Sequence, residues 1–425
     1  MQKSFVFLLA ALVMGSSACT HGETAKPSVA IPTTAAVLPA PQVDGALGAK
    51  LVPAARDTVV TAQLTIDSRV DPHAPRPALN VALCLDTSGS MEGKAIDDAR
   101  KAALSFLAGL KPGDAFSLVT FDSTARVLVP PTQMNNQTDL APMRAAIASM
   151  RASGTTAMTD GLRMAVQEVQ SSYDPTRVNR IVLVSDGVPN DASQLRPLAR
   201  QAEASGISVS AMGLGLDYDE ILMGDLAQTG GGRFKYIDDS SKIASYLGDE
   251  LSRISRVSAR SATLVISPGP GVTVDGVIGL PTSPVGNGGV QVTLGDVSLG
   301  SHRDVFIKLH AHGHPDGVAV ELADAALRWV GSDGASHESH YFFGAHATVD
   351  DAAIAKSHDD AVDLGAKHAQ EAADAIEAIR RAHESDKGSA PNHALKAPSS
   401  PAPAPAPDVA KRDHARAMST LYGVD

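Results

Sequence analysis

Cysteine is nearly missing from this 425-residue chain, which holds only Cys19 and Cys84. No disulfide framework is therefore expected, and Cys84, inside an apolar run, is expected to be a buried thiol acting as a small hydrophobe. A cationic excess is also missing: 36 Lys and Arg face 47 Asp and Glu, a formal charge of −11. Phosphate binding needs clustered basic residues, and none are present, which argues against a nucleic-acid partner. There is no Gly-x-x-x-x-Gly-Lys-Ser/Thr loop, and Gly213-Leu214-Gly215 lacks the third glycine of a dinucleotide fingerprint, so nucleotide binding has no support. His337-Glu338-Ser339-His340 is one residue short of His-Glu-x-x-His, which removes a metalloprotease. What is present is ordinary for a soluble protein: 44% hydrophobic residues with only 4% aromatic, over a length sufficient for two or three domains and a large core.

The first 18 residues read as an export signal. Lys3 is the positive flank, residues 5–14 are apolar but too few to span a bilayer, and Gly15-Ser16-Ser17-Ala18 is a small-residue cleavage zone. Ala18-Cys19 resembles a bacterial lipobox, in which the cysteine is lipidated, although Ser16 stands where leucine is usual; plain cleavage after Ala18 is the alternative. The resemblance implies lipid anchoring through Cys19 in the cell envelope, with Thr20 favouring the outer membrane; the alternative implies a periplasmic or secreted protein. Residues 19–55, rich in Ala, Pro, Thr and Val, are expected to be a flexible tether.

Beyond the tether, residues 58–66 alternate like a strand, within a segment 56–76 assigned to a β-sandwich. From 77 to 258 short apolar runs at 79–85, 115–121, 180–185, 207–212 and 234–237 alternate with helical segments. That pattern predicts a doubly wound, mostly parallel α/β sheet with ligand sites at the carboxyl ends of its strands. Asp217 is placed to cap the helix starting near Glu220, and Gly230-Gly231-Gly232 to end it. Residues 259–346 change to strands and turns at regular spacing, a β-sandwich. The strand at 58–66 has no partner before residue 77, so we expect it to pair with these later strands, making the α/β domain an insertion in the sandwich. Residues 347–388 predict a charged, solvated helical segment, 389–407 a Pro/Ala polyproline linker, and 408–425 a tail of unread purpose.

Asp86-Thr87-Ser88-Gly89-Ser90 follows the run Leu79-Asn80-Val81-Ala82-Leu83-Cys84-Leu85 and puts a carboxylate and hydroxyls on a loop at the end of a buried strand. Oxygen donors of this kind suit a hard divalent cation. Gly154-Thr155-Thr156 adds threonines, and Ser185-Asp186-Gly187 ends a second apolar run with another aspartate. In order, spacing and strand context these residues resemble the metal-ion-dependent adhesion site of the von Willebrand factor type A (VWA) family, Asp-x-Ser-x-Ser, then Thr, then Asp. The resemblance implies that Ser88, Ser90 and a threonine touch the metal, that Asp86 and Asp186 bind it directly or through water, and that the ion is Mg²⁺, or Mn²⁺ or Ca²⁺. Alignment favours Thr156 over Thr155. It also implies a non-enzymatic module that binds a protein partner whose acidic residue completes the coordination. The loops at 86–93, 153–160 and 186–192 contain no histidine to serve as a general base. A structural envelope component with a loop-stabilising metal is the second possibility and a metal-dependent hydrolase the third. His310-Ala311-His312-Gly313-His314 has zinc-site spacing on a strand, but Gly313 and Pro315 point to exposed histidines at a turn.

Overall fold

The computed structural model describes residues 38–215 and 218–388; the export signal, Cys19, Asp217, the Pro/Ala linker and the tail lie outside the described residues. Three strands open it, β1 (Gln42–Leu47), β2 (Leu51–Pro53) and β3 (Thr58–Asp67). The first two correct the expectation of a tether through residue 55. A stretch rich in Ala and Pro without a helical period reads as linker, yet β1 is ordered by pairing with β3, from Gln42↔Asp67 to Leu47↔Ala62. Gly45 makes room for a second contact, outside that pairing: a β-carbon there would come within 2.5 Å of the Tyr341 ring. The Tyr341 hydroxyl donates to the Gly45 carbonyl at 2.6 Å. Tyr341→Phe removes one partly buried hydrogen bond and is expected to lower stability by about 1 kcal/mol in urea denaturation; an unchanged midpoint would mean that stacking alone seats the aromatic ring.

The α/β domain follows as β4 (Leu79–Asp86), α1 (Lys94–Gly109), β5 (Ala115–Phe121), β6 (Ala125–Gln133), α2 (Ala141–Ser149), α3 (Met158–Ser171), β7 (Val178–Ser185), α4 (Leu195–Ala204), β8 (Ser208–Leu214), α5 (Glu220–Thr229), β9 (Gly231–Ile237) and α6 (Ile243–Ile254). Its six-stranded sheet has the order β6-β5-β4-β7-β8-β9, parallel apart from β6. The sequence pattern passes over β6 because Pro130 and Pro131 sit in it, and proline in a strand is tolerated at an edge. In β4 the apolar run serves both faces. Leu79, Val81, Leu83 and Leu85 pack under α1, α2 and α6, while Ala82 and the buried free thiol of Cys84 pack under α3, α4 and α5. Helix α5 is capped by Asp219, whose side chain accepts from Leu222 N–H at 3.0 Å; Gly230 ends it, and β9 begins at the next glycine.

The chain returns to the sandwich through β10 (Val257–Pro268), β11 (Val272–Val277), β12 (Ser283–Val285), β13 (Gly289–Ser298), β14 (His302–Ala311), β15 (Ala319–Val330) and β16 (Ser336–Thr348). One sheet runs β1-β3-β14-β11, the other β12-β13-β10-β15-β16-β2, and their inner faces share one core. β3 pairs with β14 along its whole length, Thr58↔Ala311 to Asp67↔His302, so the α/β domain interrupts the chain of the sandwich.

Two helices end the described chain, α7 (Asp351–Lys356) and α8 (Asp360–Gly388). α8 corrects the expectation of a solvated helix. Val362 and Ala366 are buried, Gly365 lets the Phe306 ring approach, Ile376 packs against the α/β core, and Arg380 donates to Asp225 of α5 at 2.8 Å. The packed apolar residues, Val362, Ala366 and Ile376, are sparse among charged ones, so no continuous apolar period marks the packed side in the sequence.

Candidate metal centre

Asp86 closes β4 fully buried, and Asp186 follows β7, the adjacent parallel strand, so strand pairing brings two carboxylates to one rim. The loop after Asp86 turns tightly: Ser88 N–H donates to Asp86 Oδ1 at 2.8 Å. This leaves the Ser88 and Ser90 hydroxyls 3.0 Å apart, and Ser90 Oγ donates to Asp186 Oδ1 at 2.7 Å. The third loop is docked on the first by Gly89 N–H to the Gly154 carbonyl, 3.0 Å, and Ser153 N–H to the Thr87 carbonyl, 2.8 Å.

The two candidate threonines part here. Thr155 is exposed and its hydroxyl is engaged by Asn190 Nδ2 at 2.9 Å and Ser123 Oγ at 3.3 Å. Thr156 is buried, and a β-carbon on Gly187 would lie 3.0 Å from its Oγ1 and 3.8 Å from Asp86 Oδ2. The side-chain-free Gly187 thus leaves a small space between the Thr156 hydroxyl and the Asp86 carboxylate. Asp86 and Thr156 border it, Ser88, Ser90 and Asp186 join Asp86 through the chain of hydrogen bonds above, and the donors of all five are oxygens, the set that fits a hard divalent cation.

Burial is the largest influence on Asp86 and pushes its pKa up to about 6; the Ser185 and Ser88 hydrogen bonds pull down against it, and the Asp186 charge adds to the rise. Ser185, whose hydroxyl donates to Asp86 Oδ2, is a member of the site that the sequence pattern missed. Its position directly before Asp186 at a strand end is the available signal. Asn190 is a second, holding the Thr156 loop through its backbone N–H to the Thr156 carbonyl, 3.0 Å; nothing local in the sequence marks it. The whole span from residue 77 to residue 258 contains no histidine, so an imidazole base is absent from the domain itself.

Among the described residues, one group of three His, Cys, Asp or Glu side chains has converging ligand atoms: Asp57, His310 and His312, all within 4.8 Å of one another. His314 does not join it and packs over Gly271.

A doubly wound sheet with oxygen donors gathered at the carboxyl ends of its central strands defines a class of α/β binding domains. Residues 80–249 are a von Willebrand factor type A domain, matching that family's profile over this span. The structure is similar to that of a von Willebrand factor type A protein from Catenulispora acidiphila, with a TM-score of 0.69 and 16% identity, covering 84% of this chain and 83% of that one. By sequence the chain is 28% identical over 210 residues to an uncharacterized protein of Synechocystis sp., covering 49% of each. It is 30% identical over 179 residues to human inter-alpha-trypsin inhibitor heavy chain H4, covering 40% of this chain and 19% of that one. The chain therefore spans about half the length of the first of these relatives and a fifth of the second. VWA domains typically mediate protein–protein interaction or adhesion.

Proposed function

We propose that this protein is a divalent-cation-dependent protein-binding module of the bacterial cell envelope, with a carboxylate of the partner completing the metal coordination. The observation that carries it is the gathering of Asp86, Ser88, Ser90, Thr156 and Asp186 at one rim, with Gly187 leaving room between them. Ser88, Ser90 and Thr156 would give neutral oxygens, and Asp86 and Asp186 carboxylates, to Mg²⁺, or to Mn²⁺ or Ca²⁺. Bound there, the ion supplies an electrophilic position for an acidic side chain. The protein's own task is to hold the donors in place: Ser185 orients Asp86, and Asn190 fixes the Thr156 loop. Without an imidazole in the domain, turnover lacks its commonest proton carrier, which supports binding over hydrolysis.

The test is retention of envelope proteins by the immobilised full chain. Retention in Mg²⁺, release by EDTA, and loss in Asp186→Ala support a metal-bridged partner; retention indifferent to EDTA and to Asp186→Ala overturns it. The loops are already tied by Ser90 to Asp186 and Ser185 to Asp86, which favours a second possibility, a metal that only stabilises them. In that case EDTA lowers the melting temperature and leaves every interaction intact.

Lys3, the apolar residues 5–14 and Ala18-Cys19 support export with a lipid anchor on Cys19. Expressed in a bacterial host, the wild-type chain is expected to incorporate labelled fatty acid and sediment with membranes, and Cys19→Ser to do neither. Equal label and sedimentation in both would place any anchor elsewhere.

A further inference from the structure

We infer that Asp57, His310 and His312 form a second metal site, at the edge of the sandwich, for a borderline-soft transition metal of the Zn²⁺ class. This inference stands apart from the oxygen-donor centre and does not rest on its function.

Strand pairing builds the cluster. His310 lies on β14 opposite Val59, and Ala311 opposite Thr58, so Asp57, the residue before β3, continues the ladder toward His312. The carboxylate is split between two tasks. Its Oδ1 accepts from Gly313 N–H at 3.1 Å, which fixes the group, and its Oδ2 faces His312 Nδ1 at 3.3 Å and His310 Nε2 at 3.7 Å. The two imidazole rings stack, with centroids 4.8 Å apart and planes tilted by 26°, and the ligand atoms of all three groups lie within 4.8 Å of one another. Ligands held at 2.0–2.2 Å from one ion at tetrahedral angles are separated by roughly 3.3–3.6 Å. Both carboxylate–imidazole separations fall near that value, so closing the site onto an ion needs only side-chain adjustment.

The other ring nitrogen of His310 has its own partner. Nδ1 lies 3.8 Å from Asp275 Oδ2, and Asp275 sits at a register shift of β11, where a bulge re-aims a side chain. The 3.8 Å separation is ion-pair reach and longer than a hydrogen bond; drawn in by the rearrangement that closes the site, a carboxylate behind the non-ligating nitrogen would fix the tautomer and raise the basicity of a metal-bound histidine. Two imidazoles and one carboxylate discriminate against Mg²⁺ and suit Zn²⁺, Cu²⁺ or Ni²⁺. Asp57 and His312 are exposed, so a three-ligand site here keeps its fourth position open to water or to a side chain from a partner.

The experiment is calorimetric titration of Zn²⁺ into the full chain with Mg²⁺ in excess, paired with the visible absorption of Co²⁺ as a probe of tetrahedral coordination. Wild type is expected to take one saturable equivalent, with tetrahedral Co²⁺ bands. His310→Ala and His312→Ala are expected to weaken Zn²⁺ at least tenfold, Asp275→Asn by roughly tenfold, and Asp86→Asn not at all. Unchanged far-ultraviolet circular dichroism of the variants ties the loss to ligands rather than to folding. Absence of a saturable wild-type equivalent overturns the site, as does binding that survives in the His310→Ala, His312→Ala double variant or that is lost in Asp86→Asn instead.

Discussion

Arg180→Met is expected to lower the unfolding free energy by about 3–5 kcal/mol, as breaking a buried ion-pair network does. Arg180 is fully buried in β7 and leaves the parallel sheet to reach Asp296 of β13 in the sandwich, donating also to Ser210 Oγ at 2.9 Å. Ser210 in turn donates to Glu250 of α6 at 2.7 Å, and Arg253 holds both oxygens of Glu250 at 2.7 and 3.0 Å. Methionine keeps much of the volume and leaves the buried carboxylate of Asp296 without its guanidinium. Burial alone pushes Glu250 up, but Arg253 and Arg180 overcome it and bring it from 4.5 down to about 2. The pH dependence follows in sign: stability from ionised Glu250 is present above pH 4.5 and lost as pH falls through about 2. The deficit of Arg180→Met is therefore largest near neutrality and narrows in acid. Urea denaturation at the two pH values checks both statements. A loss under 1 kcal/mol near neutrality would mean that apolar packing, not this network, joins the α/β domain to the sandwich.

Asp86→Asn is expected to act in opposite directions on binding and on stability. Removing a carboxylate ligand should weaken divalent-cation binding roughly a hundredfold or more, beyond the 10–100-fold attached to outer-shell partners. In EDTA the same substitution should stabilise the protein. A pKa raised from 3.8 to about 6 corresponds to about 3 kcal/mol against carrying the charge in the fold. The favourable contribution of protonated Asp86 is fully present below pH 3.8 and lost as pH rises through about 6, so near neutrality the metal-free wild type bears that cost and the asparagine variant does not. Thermal unfolding in EDTA and in Mg²⁺ reads both effects. A variant less stable than wild type in EDTA would show that the Ser185 and Ser88 hydrogen bonds outweigh the desolvation of Asp86.

Much of this was legible in the sequence because the local signals were strong. The largely apolar run 79–85 and its counterpart before Asp186 announce parallel strands covered on both faces, and the donors follow them at strand ends. The unpaired strand at 58–66 pointed past the whole α/β domain to β14. Where the signal was weak the physics lay elsewhere in the chain. β1 exists because β3 pairs with it and because Tyr341, 296 residues further on, covers Gly45. The buried residues of α8 are Val362 and Ala366, with Gly365 under the Phe306 ring, too few to make a continuous hydrophobic period. Histidines 310 and 312 were visible as a pair, but Asp57, which meets them, lies far upstream and arrives through register alone. His314, the third of the spacing pattern, is lost to it because β14 ends at Ala311 and the chain turns at Gly313.

The most direct measurement of the central claim is calorimetric titration of Mg²⁺ into the full chain, wild type beside Asp86→Asn. One saturable site in wild type, lost in Asp86→Asn, is the predicted result. Equal binding in both proteins, or none in wild type, would contradict a metal centre formed by Asp86, Ser88, Ser90, Thr156 and Asp186.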